Sequence, residues 1–160
     1  MAVHITHSAE ETRRLARSFA KKLASTRLRS KAVVAGLFGE LGSGKTTFTQ
    51  GLVAAFGVKE DVTSPTFVIE KIYKLKSRRF SHIIHIDAYR LNSARELEVL
   101  GWKEIVSKPK NLIIIEWPEH IARLLPKDHL ALRFTFINHN ERIVETTNAS
   151  QKKDKRKRKK

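Results

Sequence analysis

The chain contains no cysteine, so neither a disulfide framework nor a thiolate zinc site can form, and a reducing, cytoplasmic home is expected. No apolar run approaches the roughly 20 residues that a bilayer-spanning helix needs, and no membrane partner is expected. The N-terminal stretch MAVHITHSAEET has no basic segment followed by an apolar one, which argues against a secretory signal. Acid is scarce too. Thirty-two Lys and Arg face 16 Asp and Glu, a formal net charge of +16. Lys152–Lys160 (KKDKRKRKK) carries eight of the basic residues and one acid, a net +7, so +9 remains on the other 151 residues. Such a surface attracts polyanions by counterion release, and RNA is the candidate class. With 160 residues and 41% hydrophobic content, one globular domain is expected over residues 1–147, followed by a basic, disordered tail over 148–160.

What is present begins with GELGSGKT, residues 39–46. The spacing G-x-x-x-x-G-K-[ST] has a mechanical reason. Gly39, Gly42 and Gly44 can adopt backbone angles that a Cβ forbids, turning consecutive N–H groups inward as an anion nest. The helix that follows adds unsatisfied amides and its positive dipole end. Lys45 can reach the terminal phosphates, and the Thr46 hydroxyl is placed for Mg²⁺. The flanks agree with this reading. An apolar run of strand length ends at Phe38, while Phe48, Leu52 and Phe56 step by four behind the loop and Gly57 stops the helix.

Asp87 follows the apolar run of HIDAYR in the Walker B arrangement, where a carboxylate holds Mg²⁺ directly or through water. Glu116 ends a second such strand, LIII, as a metal ligand, a positioner of attacking water or a cap for the next turn. Trp117 is a core aromatic or a neighbour of the nucleotide. The hydroxyls of TSPT, residues 63–66, lie where switch proteins close on a γ-phosphate, or form an ordinary proline turn. His82 and His85 face opposite sides of a predicted strand and read as packing or surface residues, and the seven histidines form no ligand cluster.

Around these motifs, Ser8 and Glu11 form a capping box for a helix over about residues 9–24. Runs from Phe67 to Leu75 and from Phe80 to Ile86 predict an antiparallel hairpin, hence a mixed sheet. Helices are expected over about 93–100 and 119–125, and a final strand pair over 129–136 and 142–146. The fold class is α/β: a P-loop NTPase-like three-layer arrangement, a small mixed sheet flanked by helices. N-K-x-D is missing and no x-x-Gly follows Asp87, so ATP is expected rather than GTP.

In order along the chain, GELGSGKTTFTQGL, TSPTF, HIDAYRL, Glu96-Leu97, Gly101 and IIEWPE resemble the TsaE (formerly YjeE) family, bacterial ATPases of the tRNA threonylcarbamoyladenosine pathway, over about residues 5–145. The resemblance implies an Mg-ATP-binding, weakly hydrolysing protein in which Gly42, Ser43, Gly44, Lys45, Thr46 and Thr47 wrap the phosphates. It further implies that Lys45 contacts them, Thr46 and Glu116 ligate Mg²⁺, Asp87 is the Walker B acid, Thr66 belongs to the switch segment and Trp117 adjoins the site. The implied partner is the TsaB–TsaD pair, which moves a threonylcarbamoyl group from an adenylate to N6 of adenosine 37 in tRNAs reading ANN codons. Two departures stand out. Ile72 precedes Tyr73 where the family commonly has Glu close by, so no role passes to Glu70, and the basic tail is atypical. Two other readings compete: a small-molecule or nucleoside kinase using the same loop, and an RNA-binding module in which ATP is structural. Ser8 and Arg142 are candidates for adenine contacts, and tRNA for the tail.

Overall fold

The structure, a computed structural model, describes residues 1–148. The tail expected over 148–160 therefore lies outside the described residues, apart from the backbone of Asn148. The elements run β1 (Ala2–Thr6), α1 (Ala9–Ser25), β2 (Val33–Phe38), α2 (Lys45–Ala55), β3 (Glu70–Lys74), β4 (His82–Asp87), α3 (Ala94–Val99), α4 (Trp102–Ser107), β5 (Asn111–Glu116), a 3₁₀ segment (Pro118–Leu124), β6 (Leu130–Phe136) and β7 (Arg142–Asn148). Among the described residues seven strands form one sheet in the order β1-β7-β6-β2-β5-β4-β3. The four central strands, β6, β2, β5 and β4, are parallel, and β3 and β7 pair antiparallel at the flanks. The expected mixed sheet is thus present, as a parallel centre with antiparallel edges.

Alternation along the central strands builds a core on each face. Val33, Ala35 and Leu37 of β2, with Leu112 and Ile114 of β5 and Ile83 of β4, pack beneath α1 and α2. Val34, Ile113, Ile115, Ile84 and Ile86 point the other way, toward Leu97, Trp102 and Ile121 from α3, α4 and the 3₁₀ segment. Buried on both sides, these strands read as continuous apolar runs. On the α1–α2 side the two helices approach closely at Gly51, where an added Cβ would lie 2.6 Å from the Arg13 Cα.

Several boundaries differ from expectation. Glu11 caps α1 as anticipated, with its amide donating to Ser8 Oγ at 3.1 Å, but its carboxylate accepts from the His7 amide at 2.7 Å. The run beginning at Phe67 is a strand only from Glu70; Phe67 and Val68 sit exposed in a turn. The predicted helix over 119–125 is the 3₁₀ segment, with a non-helical residue at Ile121. Two elements had not been anticipated, β1 and the short α4.

Candidate functional site

Parity along the strands sets up the site. Glu116 follows Leu112 and Ile114 at steps of two, and Asp87 follows Ile83 and His85, so all of these side chains lie on the face that carries α2. Asp87 and Glu116 are also register partners across the parallel pair β4–β5, which brings the two carboxylates side by side at the carboxyl ends of the strands. The loop from β2 rises past these ends into α2. Gly39, Gly42 and Gly44 have φ of 142°, 76° and 101°, so the left-handed angles expected of the loop glycines are present.

The first turn of α2 holds no acidic residue and its N-cap, Gly44, makes no side-chain capping bond. Its amides and dipole end are therefore left for a ligand. The Lys45 ammonium donates to the carbonyls of Gly39 at 2.7 Å and Glu40 at 2.8 Å, and lies 4.2 Å from the centre of the Trp117 ring. Burial pulls the Lys45 pKa down from its ordinary value, and the carboxylates of Glu116, Glu119 and Asp87 oppose that pull. Trp117 holds its place with a left-handed backbone, φ 56°, and its ring meets that of Tyr89 at 5.0 Å.

Thr46 and Glu116 meet directly. The hydroxyl lies 3.2 and 3.1 Å from the two carboxylate oxygens, tying the start of α2 to the end of β5. Asp87 is held separately: Ser64 Oγ donates to it at 2.6 Å, Thr66 Oγ1 donates to the same oxygen, and the Tyr89 amide donates to the other at 2.9 Å. The segment 64–66 thus closes on Asp87. Its backbone continues into Ile69, at φ 67°, whose carbonyl accepts from the Asp87 amide at 2.9 Å. Among the described residues no group of three or more His, Cys, Asp or Glu side chains is placed to hold a metal, so a cation here would depend on the hydroxyl of Thr46 as well as the carboxylates.

These groups line one cleft of about 390 Å³, within the range of small-ligand sites. Gly42, Gly44, Lys45, Thr46, Thr47, Thr66, Asp87, Glu116 and Trp117 border it, as do Ser8 and Arg142. Ser43, buried with its Oγ unpartnered, belongs to the loop without bordering the cleft. Arg78 and Arg79 are in the β3–β4 turn at the other end of the sheet, too far to act at this cleft, and Arg79 is buried there on backbone carbonyls.

The expectation that His85 is a packing or surface residue agrees with its burial but did not include a contact with Glu116. It is fully buried, and its Nε2 lies 2.9 Å from Glu116 Oε1. The signal was available in part: His85 and Asp87 are two apart on one strand and must share a face.

A family model described as "Threonylcarbamoyl adenosine biosynthesis protein TsaE" matches residues 6–144. A "tRNA threonylcarbamoyladenosine biosynthesis protein TsaE" from Borreliella burgdorferi is 39% identical over 110 residues, 68% of this chain and 77% of that protein. The protein of the same description from Rickettsia typhi is 34% identical over 142 residues, 88% of this chain and 91% of its own. The crystal structure of Bacillus subtilis YdiB superposes with a TM-score of 0.73 at 27% identity, covering 94% of this chain and 87% of that one.

Proposed function

The chain belongs to the TsaE family of tRNA threonylcarbamoyladenosine biosynthesis, and from that premise we propose that it is an Mg-ATP-binding, weakly hydrolysing switch subunit. It serves the TsaB–TsaD pair in forming the threonylcarbamoyl group on adenosine 37 of tRNAs reading ANN codons, in the cytoplasm. No helix among the described residues is long and apolar enough to cross a membrane.

The residues suit a magnesium-bound triphosphate. An uncapped helix N-terminus faces the cleft, three loop glycines hold left-handed φ angles, and a hydroxyl and two carboxylates converge from three elements. Thr46, Glu116 and Asp87 would hold the magnesium, which would neutralise phosphate charge. Each residue then has a task. Lys45 exchanges its two carbonyl partners for phosphate oxygens, and the Trp117 ring keeps water from its ammonium. Thr46 and Glu116 act as one ligand pair. His85 fixes the Glu116 carboxylate against rotation. Ser64 and Thr66 tie the switch segment to Asp87, so that any demand on Asp87 is felt in the backbone from 64 to 69.

Slow turnover follows from where the arginines are. Arg142, at the cleft, donates from Nη1 to the carbonyls of Asn138 and Glu141 and stacks over Phe136, which ties it to the β6–β7 turn. A partner must bring the positive charge that speeds phosphoryl transfer, an effect worth about 10³-fold or more.

The Thr46–Glu116 contact carries this reading, because it joins the start of α2 to a strand-end carboxylate that nothing else on the loop requires. Calorimetry with ATP is the test. Wild type should bind more tightly with Mg²⁺ than with EDTA, while Thr46→Ala and Glu116→Ala should lose that difference. Hydrolysis should rise at least tenfold when TsaB–TsaD and tRNA are added. Equal turnover with and without them, or transfer of phosphate to a small hydroxyl acceptor, would favour the kinase reading instead.

A further inference from the structure

The charge of this chain is not spread evenly. Three loops precede or join the amino ends of the central parallel strands: residues 26–32 before β2, 75–81 between β3 and β4, and 108–110 before β5. Together they contain Arg27, Arg29, Lys31, Lys76, Arg78, Arg79, Lys108 and Lys110, and not one Asp or Glu. All but Arg79 are exposed. Among the described residues two carboxylates pair with them, Asp128 with Arg29 at 3.0 Å and Glu104 with Lys108 at 2.7 Å.

Arg79 explains why the three loops form one surface. Buried between them, it donates to the carbonyls of Thr26 at 3.0 Å, Arg27 at 3.2 Å and Pro109 at 3.3 Å. One guanidinium thus pins the first and third loops to the second. Desolvation of that cation, and the nearby charge of Arg29, draw its pKa down, so the fold accepts an electrostatic cost to hold this cluster together. The chain also leaves the described residues here. Asn148, the end of β7, is in register with Leu130 at the start of β6, and the sequence after it holds the net +7 of Lys152–Lys160.

We infer that this basic pole, at the end of the sheet opposite the ATP cleft, is a binding face for the phosphate backbone of tRNA. The strands between pole and cleft are six residues long, which puts the two about 20 Å apart. A face rich in exposed Lys and Arg, with little nearby acid, suits phosphates and does not read bases. The choice of tRNA as the polyanion rests on the pathway assigned above; ATP binding is not needed for it.

The test uses the full chain and a fluorescently labelled tRNA transcript, with anisotropy read between about 50 and 200 mM salt. One variant combines Lys31→Gln, Lys76→Gln, Arg78→Gln and Lys110→Gln. A control of equal charge combines Arg14→Gln, Arg95→Gln, Arg123→Gln and Arg133→Gln, exposed residues outside the three loops. Arg79 is left alone, since its removal would unseat the loops. The pole variant should bind tRNA at least tenfold more weakly, with a salt slope shallower by about two to three, and the control should change the slope by less than about one. Equal losses in both variants, or no loss at the pole, would overturn the proposal. So would loss of TsaB–TsaD association with tRNA affinity unchanged, which would make the pole a protein-docking face. ATP calorimetry on both variants keeps the two readings separate: tRNA binding is measured without nucleotide, so either can fail alone.

Discussion

A single buried imidazole does much to decide how well the carboxylate at the end of β5 is aimed. Ligands of a cation gain from partners that fix their orientation, and removing such a partner commonly costs ten- to a hundred-fold in affinity. His85 has no other contact with the cleft, since Nε2 meets Glu116 and Nδ1 is buried without a partner. His85→Ala should therefore weaken ATP binding about tenfold or more in the presence of Mg²⁺ and leave binding in EDTA unchanged; calorimetry in both buffers distinguishes this from simple unfolding, which would lower both. The residues with motif positions, Lys45, Thr46, Asp87 and Glu116, were readable from spacing because phosphate and cation chemistry demands those types at strand ends and helix starts. His85 was not, because its contact depends on β4 lying beside β5, and strand order is a tertiary fact. Glu70 is a second case at this scale. Half-buried, with Oε2 unpartnered, it has its pKa raised by desolvation. The unfolded chain then releases this proton first as pH climbs past the ordinary glutamate value of about 4.3, so Glu70 takes away stability from there upward until its folded pKa is passed. Glu70→Gln should raise the melting temperature by about 1–3 °C at pH 8 and leave it unchanged at pH 4, as read by calorimetric scans at the two pH values.

Among the elements, the helices α1 and α2 depend on an approach that only glycine permits. A Cβ on residue 51 would meet the Arg13 Cα at 2.6 Å and its carbonyl oxygen at 2.7 Å, backbone atoms with no room to yield without moving α1. Overpacking of this kind costs about 1–3 kcal/mol, against a helix-propensity gain for alanine of at most ~1 kcal/mol. Gly51→Ala should lower stability in urea titration by about 1–2 kcal/mol, and any gain in stability would show that the helices are free to separate. Both helices were legible from four-residue apolar steps because each buries a full stripe. The unanticipated elements lack that pattern. β1 buries only Thr6 and is held by backbone pairing to β7, while α4 has six residues, too few for a helical period to show, and anchors through Trp102. The overextended strand at Phe67 has its own cause. The Pro65 carbonyl accepts from the amides of both Val68 and Ile69, so an apolar, β-favouring triplet is wound into a turn beside Asp87. Apolar periodicity cannot distinguish a strand from a segment whose amides are already engaged by a turn.

For the molecule as a whole, the parallel centre of the sheet separates two ends of unlike chemistry, and its stiffness has a consequence for how they communicate. Ile83, Leu112, Ile113, Ile114 and Ile115 are fully buried between helices on both faces, with Val33 and Val34 nearly so, and such packing resists sliding of one strand past another. Coupling between distant sites needs an element with two arrangements that both ligands bias. Residues 64–69, the segment proposed above as the switch, contact Asp87 at the cleft end, and none of the basic loops hydrogen-bonds to them. Nucleotide and tRNA should therefore bind the isolated chain almost independently. Titration of labelled tRNA with and without saturating Mg-ATP should give affinities within about twofold, whereas typical allosteric coupling spans about 5- to 150-fold. A larger effect would mean that the strands shift as nucleotide enters. A small one would place the coordination of ATP turnover with tRNA modification in TsaB–TsaD, which would have to contact residues 64–69 directly in order to read whether Asp87 is held or released.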